Sequence, residues 1–275
     1  MKNLISIIFI IIGTKSFAQE VQIIDTTKWL CAYKYEFLQD STSKYSLKQV
    51  QMNLQIGSHL SKFCDLFDFI GDSLLNLHNN NNDEATFNMV SKSVSGISSN
   101  FLATYYVYKN YPQNSNLFFS AYSDHKFFKV VQPMRMTWKL DAMKDTVILG
   151  YRCQRAFTSY AGREYTAWYT TQIPISEGPY KFNGLPGLIV KIFDSKNQHR
   201  FTLTSVKKLK YVQPITLSKQ NYIEITPHEY VNVLRNKMAR LFGRVQNGDI
   251  PINSDEAKTK SLQGLKAKNN FIEKY

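Results

Sequence analysis

The chain has 275 residues, a formal net charge of +13 and 43% hydrophobic residues, which is enough apolar material for a full core and excludes a disordered chain. Its 17 Tyr and 18 Phe stand beside only 12 Gly and 8 Pro, a mix that favours strands over helices. The basic balance suits nucleic acid, anionic lipid headgroups or lipopolysaccharide phosphates, and equally a solvated lysine surface, since charge alone does not decide function.

The start reads as a signal peptide. Lys2 gives the positive region, Leu4 to Ile12 is an apolar run too short to span a bilayer, and Ser16-Phe17-Ala18 ends in the small residues a signal peptidase reads. Residues 1–18 are therefore expected to be removed. The remainder has no other long apolar run and is expected not to span a membrane. Export places it in the periplasm or outer envelope and removes nucleic acid as a partner.

Residues 30–38 carry loosely alternating aromatics and read as a strand. Val50 to Ile56 alternates strictly, with Val50, Met52, Leu54 and Ile56 on one face and Gln51, Asn53 and Gln55 on the other. Asp65 to Leu77 is helical in spacing, through Leu66, Phe67, Ile70, Leu74 and Leu77. Gly71 weakens that helix by about 1 kcal/mol relative to alanine. Residues 79–83 form a polar tip, and 84–99 have no clear period. Strands follow at 103–109, 117–121 and 127–132. The strand at 150–159 turns through Tyr160-Ala161-Gly162 into a second at 163–170, a hairpin pattern. Leu188 to Phe193 reads as a buried strand, and Gln198 to Val206 as another.

The best-marked helix begins at Thr226. Thr226 is the N-cap, Pro227 takes the first helical position and Glu229 completes a capping box. Tyr230, Val233, Leu234, Met238, Leu241 and Phe242 form its apolar stripe. Basic residues crowd its last turns, and Gly243 is the expected stop. Residues 19–246 then make one β-rich domain, and 247–275 a poorly ordered basic tail.

Cys31, Cys64 and Cys153 leave at least one thiol unpaired, and their spacing offers no metal pattern. His59, His78, His125, His199 and His228 are scattered, with no two at metal-ligand spacing. Serine-nucleophile elbows and Gly-rich phosphate loops are absent. No catalytic group, cofactor or metal is expected.

The most specific text is Gly184-Leu185-Pro186-Gly187-Leu188-Ile189. Pro186 suits the second position of a β-turn, Gly187 the positive φ a type II turn needs next, and Gly184 a bulge or close backbone approach. Upstream lie Ile148 to Ala156, Gly162 to Thr170 and Gly178-Pro179-Tyr180-Lys181-Phe182-Asn183. Together these pieces resemble the GLPGLI family of Gram-negative envelope proteins. The resemblance is strongest from Trp138 to Asp194 and weaker over Tyr33 to Phe63. It implies an envelope location and brings no biochemical activity with it. The order of the pieces is also similar to LolA-like lipoprotein carriers, which implies a long curved antiparallel sheet with helices over its concave face. The expected fold is thus mainly β with accessory helices (α+β): a curved antiparallel sheet in the manner of a LolA-like half-barrel, with a C-terminal helix packed on it.

Tyr165, Trp168, Tyr169, Tyr180 and Phe182, with Arg163 and Lys181 beside them, could line a ligand groove with a polar clamp. The same aromatics could simply fill the core between sheet and helix. Arg163, Trp168, Tyr180, Lys181 and Phe182 are the candidate ligand-binding residues; Gly184, Pro186 and Gly187 are structural. The favoured role is non-enzymatic binding of an apolar or amphiphilic envelope component, with a lipid-like or outer-membrane partner. The alternatives are a scaffold docking on another envelope protein and a hydrolase acting on envelope material.

Overall fold

The computed structural model describes residues 21–77, 84–95, 100, 103–113, 116–252, 254–266 and 268–275. The signal peptide expected at 1–18 and the polar tip at 79–83 lie outside the described residues.

Four strands open the chain: β1 (Val21–Thr26), β2 (Trp29–Leu38), β3 (Leu47–Ile56) and β4 (Ser61–Asp65). Helices α1 (Leu66–Leu77) and α2 (Glu84–Ser93) follow, then β5 (Tyr106–Lys109), β6 (Asn116–Ser123) and β7 (Lys126–Pro133). The middle of the chain supplies β8 (Lys139–Ile148), β9 (Tyr151–Tyr160), β10 (Arg163–Thr170), β11 (Leu188–Asp194) and β12 (His199–Lys208). The last elements are β13 (Pro214–Ser218), β14 (Tyr222–Glu224), α3 (Pro227–Asn247) and α4 (Asp255–Lys266).

Twelve strands form one open sheet in the order β14-β7-β6-β5-β4-β3-β2-β12-β11-β10-β9-β8, and β1 pairs with β13 in a small second sheet. The large sheet is antiparallel except at β14, which runs parallel to β7. The expected fold class holds: mainly β, a curved, open, largely antiparallel sheet, with helices at the C-terminal end.

Alternation decides which side of the sheet each residue faces. Tyr33, Tyr35 and Phe37 of β2, Val50, Met52, Leu54 and Ile56 of β3, and Phe201 and Leu203 of β12 all belong to the main core. Tyr35 stacks on Phe201 with ring centroids 4.1 Å apart. The opposite face is not left to solvent over the β3–β6 region. Tyr108, Phe118 and Leu217 form a second core cluster, covered by β1 and β13. Asn53 and Gln55, expected on a polar face, are buried there. The Gln55 amide donates to Thr27 Oγ1 at 2.9 Å, so its burial is paired.

Helix α3 confirms its start and corrects its stop. Thr226 and Glu229 make the reciprocal capping box. The helix runs through Gly243 to Asn247 and ends at Gly248, whose φ of 84° is the left-handed C-cap. Gly243 has no atom within 4 Å of where a Cβ would stand, so nothing there forces a break. The residues actually buried are Val231, Leu234, Met238 and Val245. Tyr230 packs edge-on against Phe119 of β6 at 4.8 Å, which fixes the helix on the core face of the sheet.

The segment 247–275, expected as a poorly ordered tail, instead carries α4 and then runs residues 269–274 across one end of the sheet, from the end of β2 to the β9–β10 turn. Asn270 is 1% exposed and Glu273 is 4% exposed. The amides of Asn269 and Asn270 donate to the Gln39 carbonyl, and that of Lys274 to the Ala161 carbonyl at 2.8 Å. Lysine and asparagine content hid this because its anchors are polar and their partners lie far away in sequence.

Candidate functional site

The motif region builds a core. From β10 the chain crosses the core face before returning as β11. Lys109 of β5 reaches up to hold this crossing: its buried ammonium pairs with Glu177 and donates to the Gly178 carbonyl. Burial lowers its pKa, and Glu177 opposes that effect. Leu185, Phe182 and Tyr180 point inward and are at most 2% exposed.

The two glycines of the hexapeptide exchange their expected roles. Gly184 has the positive φ, 91°. Gly187 does not; a Cβ there would stand 2.1 Å from the Thr170 carbonyl oxygen, so it is glycine for close approach. The hydrogen bond of the Gly187 amide to Leu185 O, at 2.8 Å, spans Pro186 and makes a tight turn of three residues.

Four of the five candidate ligand-binding residues come together, but around the chain's own segment 270–273. Arg163 donates to Asp194 at 2.9 Å, to Asn270 Oδ1 and the Phe271 carbonyl at 2.7 Å each, and to the Ile272 carbonyl at 3.1 Å. Tyr180 Oη donates to Glu273 at 2.7 Å and Lys181 Nζ pairs with the same carboxylate oxygen at 2.6 Å. Phe182 lies edge-on to Tyr165 at 4.7 Å. Trp168 is separate. It alternates with the buried Tyr165, Ala167 and Tyr169, faces the other side of β10, and lies 5.9 Å from the Arg155 guanidinium.

Beneath α3, between Tyr35, Phe119, Tyr180, Leu234 and residues 270–273, the remaining void is about 20 Å³, room for about one water. The predicted groove is thus filled from within. His199 sits beside it, fully buried, its Nδ1 2.7 Å from Tyr35 Oη. Burial, and then the charge of Arg163, hold its pKa well below 6.5.

The open space is on the opposite face. A cavity of about 370 Å³ lies between α1, β5–β7 and β13. Its walls are rings: Phe67, Tyr106, Tyr108, Tyr122, Phe127 and Tyr222. Tyr122 and Phe127 lie 4.8 Å apart, and Phe127 and Tyr222 6.2 Å apart. Its polar end is Lys62, Asp68, Asp72 and Thr216. The Lys62 side chain is 2% exposed, pairs with Asp72 at 2.6 Å and donates to the Thr216 carbonyl at 3.0 Å. Tyr108 Oη donates to the same carbonyl at 2.8 Å. Burial, followed by the charges of Asp65 and Asp72, pushes the Asp68 carboxyl up to about 8.

Sequence reasoning missed this cavity. Asp68 and Asp72 fall on the polar side of an amphipathic helix, where carboxylates are expected in water. Lys62 sits in β4, a strand of five residues that no sequence pattern marked. The readable signal was the tyrosine alternation Tyr106, Tyr108 with Phe118 and Tyr122, on residues that a single-faced sheet would leave exposed.

All three cysteines are buried and free, and burial raises Cys31 to about 12. Among the described residues no group of three His, Cys, Asp or Glu is placed to hold a metal ion. Also among them, no helix is long and apolar enough to cross a membrane.

A family profile described as "Protein of unknown function (Porph_ging)" matches residues 159–191, the hairpin end of β9 through β10 and the motif crossing to β11. The match ties this stretch to a family of unknown function and does not confirm the GLPGLI name. No curated protein matches the chain. Two structures of PNGF-II, in P21 and C2 space groups, are similar at 16% identity and a TM-score of 0.48, over 78% of this chain and 34% of theirs. The chain thus spans about a third of PNGF-II. A LolA superfamily protein from Nitrosomonas europaea is similar at 5% identity and a TM-score of 0.27, over 68% of this chain and 87% of that one. Likenesses at this level carry no argument about ligand or activity.

Proposed function

We propose that this protein is an exported, non-enzymatic binding protein that takes a small amphiphilic component of the cell envelope into the cavity beneath α1. The observation that carries the reading is the cavity itself: about 370 Å³, walled by aromatic rings and polar at one end. Ligand pockets have this size and this make-up of apolar walls with a few placed polar groups. The motif-bearing face is filled by the chain's own residues 270–273 and serves as the rigid backing of the sheet.

Calorimetric titration with octanol tests the reading. Binding to the wild-type chain is expected, with loss in Ser120→Leu, which fills the cavity from β6, where Ser120 is 4% exposed. Equal binding to both proteins would remove the cavity from consideration. Export is tested separately by the mass of the native protein, which is expected to begin after Ala18.

A second reading rests on a different place. Met238, Ala239 and Phe242 of α3 face Leu265 of α4 and Phe271 across a groove of about 400 Å³. An apolar groove between two helices is a docking surface for another protein, which fits the scaffold alternative. Crosslinking from Phe242 to an envelope protein, rather than ligand uptake beneath α1, would favour it.

A further inference from the structure

Given that binding role, the charges at the cavity's polar end decide the class of ligand. The whole chain is basic, at +13, but this end of the cavity is not. Asp68 and Asp72 stand one turn apart on α1, and Asp65 precedes the helix, its Oδ1 accepting from the Asp68 amide at 2.7 Å. Among the described residues, Lys62 is the ammonium whose charge acts on Asp68, and it is already engaged with Asp72 and the Thr216 carbonyl. The other groups around Asp68 add no positive charge: Cys64 from β4, Tyr106 and Tyr108 from β5, and Thr216 from β13.

Asp68 is left short of a partner. The Tyr106 hydroxyl bonds its carboxyl, but its Oδ2 is out of contact with solvent and has no hydrogen-bond partner. An unpaired buried carboxyl oxygen is costly, and Asp68 is one of the residues that line the cavity. The walls complete the pattern. Ring faces attract cations, and Lys62 Nζ already lies 4.9 Å from the Tyr106 centroid and 5.5 Å from that of Tyr108.

We propose that the ligand's polar end is an organic ammonium group, seated against the Asp68 carboxylate and the tyrosine faces, with a short apolar body along Phe67 and Phe127. The ammonium replaces the proton that burial and the neighbouring carboxylates hold on Asp68; that proton leaves to solvent, and no covalent bond to the ligand forms. An anionic headgroup would face Asp68 and Asp72 with the Lys62 charge already neutralised.

Three probes of one chain length separate the possibilities: octyltrimethylammonium, octanol and octyl sulfate, each below its micellar range, titrated calorimetrically into the full chain. The ammonium is expected to bind at least about tenfold more tightly than octanol, and the sulfate most weakly. Its affinity should fall by up to about tenfold for each pH unit below about 8, with proton release seen as a buffer-dependent heat. Asp68→Asn should reduce the ammonium to the octanol level and leave octanol unchanged, which also shows that the variant is folded. Octanol or octyl sulfate binding as tightly as the ammonium, or an ammonium preference that survives in Asp68→Asn, would overturn the ammonium assignment and leave the binding role standing. Failure of all three probes would overturn both.

Discussion

At the scale of single residues, space and backbone shape constrain two glycines, and burial sets the charge state of two titratable groups. Gly187 has no room for a side chain, because a Cβ would meet the Thr170 carbonyl oxygen at 2.1 Å. Gly187→Ala is therefore expected to destabilise by about 1–3 kcal/mol through forced backbone movement. Gly184→Ala should be destabilised by about 1–2 kcal/mol for a different reason, its φ of 91°. An unchanged denaturation midpoint in Gly187→Ala would contradict the close approach. His199 makes stability depend on pH. Its folded pKa lies well below 6.5, so below about that pH the unfolded chain takes up a proton that the folded chain refuses. Stability should be full above pH 6.5 and fall by up to about 1.4 kcal/mol per pH unit below it, until the folded imidazole itself titrates. Asp68 works in the other direction. Its raised pKa means the folded chain keeps a proton that the unfolded chain loses, so its contribution is lost as pH rises from about 4 toward about 8. Denaturant midpoints of His199→Gln at pH values on either side of 6.5 check the first effect. A fall on acidification as steep as in the wild type would assign that slope to another group.

At the scale of elements, β2, β3, β5 to β7, β9 to β12 and helices α1 and α3 were legible because each follows its own period or carries its own turn and capping signals. Val50 to Ile56 gave the core face of β3, and the Thr226 capping box gave the start of α3 to the residue. The stop at Gly243 was misread because glycine is tolerated inside a helix when nothing breaks the turn, and the left-handed C-cap fell to Gly248. Strands β1 and β13 were not legible: VQIIDT and PITLS are short, weakly alternating and meaningful only against each other. Their pairing turns a one-faced sheet into a two-faced one and creates the cavity wall. Helix α3 carries the next prediction. Leu234 is 9% exposed and borders the void beside Tyr35 and Phe119. Leu234→Ala should cost about 2–5 kcal/mol in unfolding free energy. A change below about 0.5 kcal/mol, the size of a surface substitution, would show that the helix stands away from the sheet.

At the scale of the whole molecule, the motif region, the sheet and the last residues form one structure. Arg163 and Lys181 were singled out in the sequence as a polar clamp beside aromatics that include Tyr180; in the structure all three hold the chain's own segment 270–273 and not a ligand. The occupant was not legible because no local pattern marks a peptide whose partners are about a hundred residues away. Glu273→Ala would leave the Lys181 ammonium, 2% exposed, without its partner, and removing one member of a buried pair typically destabilises by about 3–5 kcal/mol. Such a variant should also lose protection of the Lys274 amide from hydrogen exchange, which otherwise bonds the Ala161 carbonyl. A Glu273→Ala protein as stable as wild type would mean that the segment is not docked. The central claim is that the ligand site lies on the β1–β13 face and not on the motif face. The most direct measurement is an NMR titration of the full chain with octyltrimethylammonium, reading the aromatic ring resonances. Shifts confined to Phe67, Tyr106, Tyr108, Phe127 and Tyr222 are predicted; shifts at Tyr180, Phe182 and Phe271 with those rings unmoved would contradict the account.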